Sequence, residues 1–247
     1  GHGVLPSGRD AAGMLPEPHS AYVIYGIEPG LDFADTPAAS RALASAKVVA
    51  FSHFACKSTR DVADVILPIG LLPEIDATLT NLDGKDQHAQ PAGSLPGEAG
   101  GGGTLLGALG GELQVAGFEF TDAAGMREAI SNTKPVAIAT SAAPAVNGQG
   151  LELAVSAAIY RTDGTVRRAE ALQAHPLNVG ARIVLNPADA QAAGVADGQM
   201  AKVGNGIGTA ALPVVVDARV AAGAAWIESG YGATAPLGAG RVTVVSA

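Results

Sequence analysis

One cysteine, Cys56, stands in a chain of 247 residues. A single thiol excludes an internal disulfide, and alone it holds neither a structural zinc nor an iron–sulfur cluster. The five histidines (His2, His19, His53, His88 and His175) are scattered without ligand spacing, which fits a reducing compartment and no metal centre. Aromatic residues make up only 4% of the chain, so the core must be built from small aliphatic side chains, which suits close packing of helices on sheets. Basic residues are also scarce, 15 against 23 acidic ones, for a net charge of −8 with no Lys/Arg cluster. An acidic surface repels nucleic acid and anionic lipid. No apolar run approaches the ~18 residues of a membrane-spanning helix, and no signal-peptide pattern opens the chain, so direct membrane insertion is not expected.

What is present reads as two units. At roughly 100–200 residues per domain, the length allows one large domain or two small ones. Residues 1–20 show no apolar period and carry Pro6, Pro16 and Pro18, the mark of an irregular segment. AYVIYG (Ala21–Gly26) and KVVAFS (Lys47–Ser52) are continuous apolar runs of the length of strands buried on both faces. Between them TPAASRALASA starts a helix, with Thr36 placed to cap and Pro37 at the first helical position. STRDVADVILP repeats the unit in short form, a helical turn capped near Ser58 or Thr59 and then the strand VILP. This is a doubly wound α/β pattern, and ligands of such sheets lie beyond the carboxyl ends of the strands. Here those ends are Gly26–Pro29, Ser52–His53 and Pro68 onward into a polar stretch that runs to Gln90.

The run Gly100–Gly103 reads as a mobile surface loop. A phosphate-cradling loop would want a following helix and a nearby lysine; LLGALGGELQ supplies the helix, but no lysine follows. Residues 132–150 look like a linker. From Leu151 the chain turns mostly β: LELAVSAAIY, ARIVLN, QMAKVG, AALPVVV and a closing GRVTVVSA. NPADAQAAGVADG joins two of these runs as a compact corner. Asn186 caps, Pro187 opens a short helix, Asp189 favours its positive end, Gly194 closes it, and Asp197-Gly198 turns into the next strand.

That corner, with its continuation QMAKV, resembles the signature of the C-terminal double-psi β-barrel of molybdopterin-dependent oxidoreductases. ADVILP, with Glu74, Thr80-Asn81, Gly84, Lys85 and Gln87 after it, resembles the end of the α/β region in the same superfamily, and Pro96–Ala99 also fits. AIYRTDGTVRRAEALQ and LPVVVDARVAAGAAWIESGYGATAPLG look like the branch formed by the largest peripheral-arm subunit of bacterial NADH-quinone oxidoreductase, respiratory complex I. The likeness runs from about Tyr22 to the end. It implies a partial doubly wound α/β domain over residues 1–140 and a double-psi barrel over 141–247, together the C-terminal part of a longer subunit. Three positions depart from the superfamily pattern: Lys85 stands where arginine is usual, Ala77 where glycine is usual, and the glycine run where a bulky segment is usual. Replacing arginine by lysine loses a planar two-pronged phosphate donor.

If the superfamily's cofactor, molybdopterin guanine dinucleotide, were held here, the resemblance points to Glu28, Ser52, His53, Asn81, Lys85 and Gln87 at the strand ends. Lys85 and the backbone near Ser52 would meet phosphates, and Asn81 and Gln87 a pterin or guanine edge. The same residues equally serve to cap loops and bond one another between the two units. His53 is a candidate proton relay but more simply closes a loop. Asp61, Asp64, Glu74 and Asp76 fall on different faces, so no catalytic dyad is expected. Cys56 reads as a small residue in a helix-bearing loop, and Arg167-Arg168 beside Glu170 as a surface ion pair.

Three functions follow. The first is a cofactor-free structural module of that largest complex I subunit, partnered by other peripheral-arm subunits on the cytoplasmic side of the bacterial inner membrane. It would support NADH-to-quinone electron transfer that other domains carry out on iron–sulfur clusters, with no catalysis of its own. The second is a fragment of a formate dehydrogenase-like molybdopterin enzyme that binds the dinucleotide end of the cofactor. The third is a nucleotide-binding module outside redox chemistry.

Overall fold

The computed structural model describes residues 10–17, 19–131, 149–238 and 240–247. A short helix, α1 (Ala11–Met14), precedes three strands and two helices: β1 (Ala21–Tyr25), α2 (Thr36–Ala44), β2 (Lys47–Ser52), α3 (Lys57–Val62) and β3 (Val65–Pro68). The strands pair in parallel in the order β1–β2–β3, as the apolar runs and helical crossovers require. Ile24, Val48 and Ala50 on one sheet face bury against Leu43 of α2, with Tyr22, Phe33, Val62 and Ile66 around them. Asp64 holds the entry to β3 by accepting from the Val48 amide and from Lys47 Nζ, both at 2.8 Å. The lysine bond, then the amide, hold its carboxyl below the usual range.

Both helix starts differ from expectation by one to three residues. Asp35, not Thr36, caps α2: its carboxylate accepts from the Ala38 amide at 2.9 Å, while Thr36 donates back to the Phe33 carbonyl at 3.1 Å. Of two adjacent candidates the carboxylate wins, because its charge also meets the positive helix end. In α3 the cap position is Cys56, and the Ser58 and Thr59 hydroxyls bond its Sγ at 3.2 and 3.1 Å. Burial raises the Cys56 pKa, but these hydroxyl bonds outweigh it and leave the thiol below its ordinary value.

Past β3, the strands β4 (Ala77–Thr80) and β5 (Asp86–Ala89) form an exposed antiparallel hairpin, followed by α4 (Gly102–Glu112) and α5 (Ala123–Ser131). The glycine run is not a free loop. Gly100 bridges to Ile69 beside β3, Gly101 caps α4, and Gly102 and Gly103 are its first residues. The reason is space. A Cβ on Gly102 would lie 1.8 Å from Tyr25 Oη, and one on Gly110 2.2 Å from Phe118 Cγ. Tyr25 in turn stacks on Phe51, ring centroids 5.9 Å apart. Gly102→Ala is therefore expected to cost about 1–3 kcal/mol by overpacking. Tyr25→Ala in the same chain should remove most of that penalty, a coupling that urea unfolding of the single and double variants measures. On this face of the sheet Val23 and Val65 stay half exposed.

The second unit is a closed barrel: β6 (Leu151–Ala157), β7 (Ile183–Leu185), β8 (Met200–Gly204), β9 (Thr209–Val216), β10 (Ala224–Ser229) and β11 (Arg241–Ser246), in the order β10–β6–β11–β8–β9–β7. β6/β10 and β7/β9 are parallel and the other four contacts antiparallel, the mixed pairing of a double-psi barrel. Its interior is aliphatic and small, with Ile183, Leu185, Ala201, Val203, Leu212, Ala225 and Val242 wholly buried. Two short helices interrupt the strands, α6 (Glu170–Gln173) and α7 (Pro187–Ala192). The α7 corner follows expectation: Asn186 accepts from the Ala188 amide at 3.0 Å, and Gly194 and Gly198 take φ of +67° and +77°. β10 was not among the expected strands. Its two alanines and the glycine before them give little β signal, and it is held by pairing with both β6 and β7. The expected boundary at residues 140/141 lies outside the described residues.

On the barrel rim, Arg219 clasps Asp217 through Nε and Nη2 at 2.6–3.0 Å, and that bond first, then its amide, lower the Asp217 carboxyl to about 2. A depressed folded pKa stabilises above the unfolded value of about 3.9 and loses that contribution as pH falls through the folded one. Asp217→Asn is expected to flatten the acid limb of the stability profile between about pH 4 and 2. Unfolding midpoints of both proteins across that window check it.

Candidate functional site

The carboxyl ends of β1, β2 and β3 face the barrel unit, and two crevices open between them. The smaller, about 210 Å³, is lined by Glu28, Ser52, His53 and Leu72 from the sheet side and by Asp163–Thr165 opposite. The larger, about 410 Å³, lies between Leu31–Ala34 and the barrel residues Val155, Ile227 and Ser229. The β1–α2 loop contributes to both, because Glu28 and Asp32 lie four residues apart in the turn that leaves the sheet.

Between the crevices sits a charged cluster. Arg167 reaches from the barrel unit with its side chain only 4% exposed. Its Nε donates to Glu28 Oε2 at 3.0 Å, Nη2 donates to Asp32 Oδ2 at 3.1 Å and lies 2.9 Å from Glu28 Oε2 and from Asp32 Oδ1, and Nη1 donates to the Arg161 carbonyl at 3.0 Å. Asp32 accepts the Glu28 amide at 2.6 Å. Arg168 lies with Nη1 2.5 Å from Glu28 Oε1, donates to the Gly164 carbonyl at 2.8 Å, and stacks over Phe54 at 4.1 Å. Two cations and two carboxylates therefore cancel. This corrects the expected surface pair with Glu170: the partners of Arg167 and Arg168 belong to the other unit.

The loop that delivers Arg167 is itself tied down. Arg161 donates to the Gly230 carbonyl and to Gln173 Oε1, both at 2.7 Å, and lies over the Tyr231 ring at 4.8 Å. Gln173 returns bonds to the carbonyls of Tyr160 and Val166 at 2.8 and 2.7 Å. Tyr231 donates to Asn178 Oδ1 at 2.7 Å. The loop is thus bonded on both sides of Arg167.

Of the six expected site residues, Glu28, Ser52 and His53 come together at the smaller crevice. Ser52 donates to the Phe54 carbonyl at 2.8 Å, and His53 Nδ1 lies 3.2 Å from the Ile69 carbonyl, so both also close loops. Asn81, Lys85 and Gln87 lie on the β4–β5 hairpin, exposed, and line neither crevice. Asn81 Oδ1 accepts the Asp83 and Lys85 amides at 3.0 and 2.9 Å and so makes the turn. The four other acids are dispersed as expected. Asp61 pairs with Lys57, Asp64 joins two strands, Glu74 accepts the Leu71 amide, and Asp76 meets Arg127 at 2.6 Å. Among the described residues no His, Cys, Asp and Glu group has metal-holding geometry, and no helix is long and apolar enough to cross a membrane.

Residues 157–245 match the family described as "Molydopterin dinucleotide binding domain". Acetylene hydratase from Pelobacter acetylenicus is similar in structure, with a TM-score of 0.60 at 15% identity over 87% of this chain. The fold is of the molybdopterin oxidoreductase type. This chain spans only 38% of that hydratase's length. No curated protein matches the sequence.

A dinucleotide of that family brings a pyrophosphate, which needs cations or free amides. Among the described residues no lysine or arginine lines either crevice, and Arg167 and Arg168 are committed to Glu28 and Asp32. The Thr165 and Val166 amides are taken by Asp163 Oδ1. A phosphate-bearing group would therefore meet no uncommitted lysine or arginine in either crevice among the described residues.

Proposed function

We propose that the chain is the C-terminal part of a larger oxidoreductase of the molybdopterin superfamily, and that within it this part is a structural module which does not hold the cofactor. The observation that carries this is the Arg167 cluster. The strand ends, where an α/β sheet offers its ligand site, meet the barrel through a neutralised ion network, with no uncommitted lysine or arginine lining either crevice among the described residues.

The parent assembly we favour is the peripheral arm of bacterial complex I, on the cytoplasmic side of the inner membrane, with the chain as the end of the arm's largest subunit. The segment that resembles that subunit, AIYRTDGTVRRAEALQ, is the one that supplies Arg167 and Arg168 to the interface, with Arg161 and Gln173 holding their loop. The half-exposed Val23 and Val65 support a module that packs on neighbours, since parallel sheets are ordinarily covered on both faces. On this reading NADH-to-quinone electron transfer, and the iron–sulfur clusters for it, belong to other domains.

A second reading, a formate dehydrogenase-like fragment that binds the dinucleotide end of the cofactor, is favoured by the family match over residues 157–245. The two separate by experiment. Protein purified with its native upstream sequence is expected to carry no stoichiometric molybdenum or tungsten, and GDP is expected to leave the melting temperature unmoved. A saturating nucleotide would otherwise stabilise by about 2.7 kcal/mol at a hundredfold excess over Kd. Metal at one equivalent, or a GDP shift of that size, gives the second reading.

A further inference from the structure

We propose that Glu28 and Asp32 form a recognition site for a planar, donor-rich cation of the guanidinium or amidinium class, which this chain fills with its own Arg167. The site is built from acceptors only. Glu28 Oε2, the Asp32 carboxylate and the Arg161 carbonyl surround the guanidinium at 2.9–3.1 Å, and all three of its nitrogens are used. Such a cage selects for several N–H donors in one plane and repels anions, which is why arginine suits it and lysine does not.

The cage also borders open space on two sides. Glu28 is 6% exposed, lines the smaller crevice, and its Oε1 accepts no hydrogen bond, although Arg168 Nη1 lies 2.5 Å away off the bonding direction. Asp32 lines the larger crevice. Arg167 thus joins two carboxylates that line different crevices. Without that side chain, the acceptors remain on the turn after β1, and the space it vacates is that of a small guanidinium. The contact between the two units is in this sense a ligand-binding event within one chain. It does not depend on the assembly proposed above.

The test uses the full chain with Arg167→Ala, titrated with methylguanidinium chloride and, at equal ionic strength, methylammonium chloride. The folded variant is expected to gain melting temperature saturably, by roughly 3 °C or more, with methylguanidinium and not with methylammonium. The parent chain should gain nothing specific, and Arg167→Ala with Glu28→Gln should lose the response. Equal effects of the two salts, or a gain that survives Glu28→Gln, overturn the proposal. If Arg167→Ala does not fold unaided, recovery of its far-UV circular dichroism in methylguanidinium alone supports the site, and no recovery overturns it.

Discussion

Arg167→Ala is expected to lower the unfolding free energy by about 3–5 kcal/mol, the cost of breaking a buried ion pair from one side. The residue's own charge is not the main loss. Glu28 and Asp32, with side chains 8% and 19% exposed, would keep their desolvation cost and lose the guanidinium that offsets it. Arg168 would still stand beside Glu28 Oε1, but no cation besides Arg167 lies within ion-pair distance of Asp32 among the described residues. Arg168→Ala is a useful contrast. Its side chain is 38% exposed, so solvent screens the pair and the charge contributes about 0–1 kcal/mol, with the Phe54 contact added. Urea unfolding of both variants gives the comparison. If Arg167→Ala costs no more than Arg168→Ala, the network is not what holds the sheet ends to the barrel. Replacing the whole buried set by apolar residues of similar volume should cost less than removing Arg167 alone, because no orphaned charge is left.

How the network escaped a reading of the sequence is instructive. Beside Arg167-Arg168 the nearest acid is Glu170, and local spacing makes a surface pair of them. The true acceptors stand 139 and 135 residues earlier in the chain, at a distance no local pattern spans. The glycine run failed in the same way. Locally it signals freedom, but Tyr25, on the first strand, needs the volume a side chain at Gly102 would take. Contiguous features were legible. The three parallel strands announced themselves as apolar runs with crossover-length spacing, and the Asn186–Gly198 corner as a cap, a helix and two left-handed glycines. The candidate site was half legible. Glu28, Ser52 and His53 follow from the rule that strand ends carry ligand sites. Asn81, Lys85 and Gln87 are contiguous with that site in sequence, but the hairpin carries them out of the crevices.

Leu212→Ala is expected to cost about 2–5 kcal/mol, toward the upper end of that range. The loss has a transfer part, set by the methyl groups removed, and a cavity part, set by how far the surroundings collapse. Leu212 is wholly buried in β9 opposite Ala201, which is also wholly buried. Every strand of the barrel is paired on both sides, so closing a void by moving one strand inward strains two ladders at once. Ile24→Ala on β1 makes the comparison, because its cluster sits under an open three-stranded sheet. A smaller loss at Ile24 than at Leu212, measured by urea unfolding at equal pH and salt, is the expected order. The reverse order would mean that the closed barrel relaxes around a cavity more readily than the open sheet, and that closure is not the source of its rigidity.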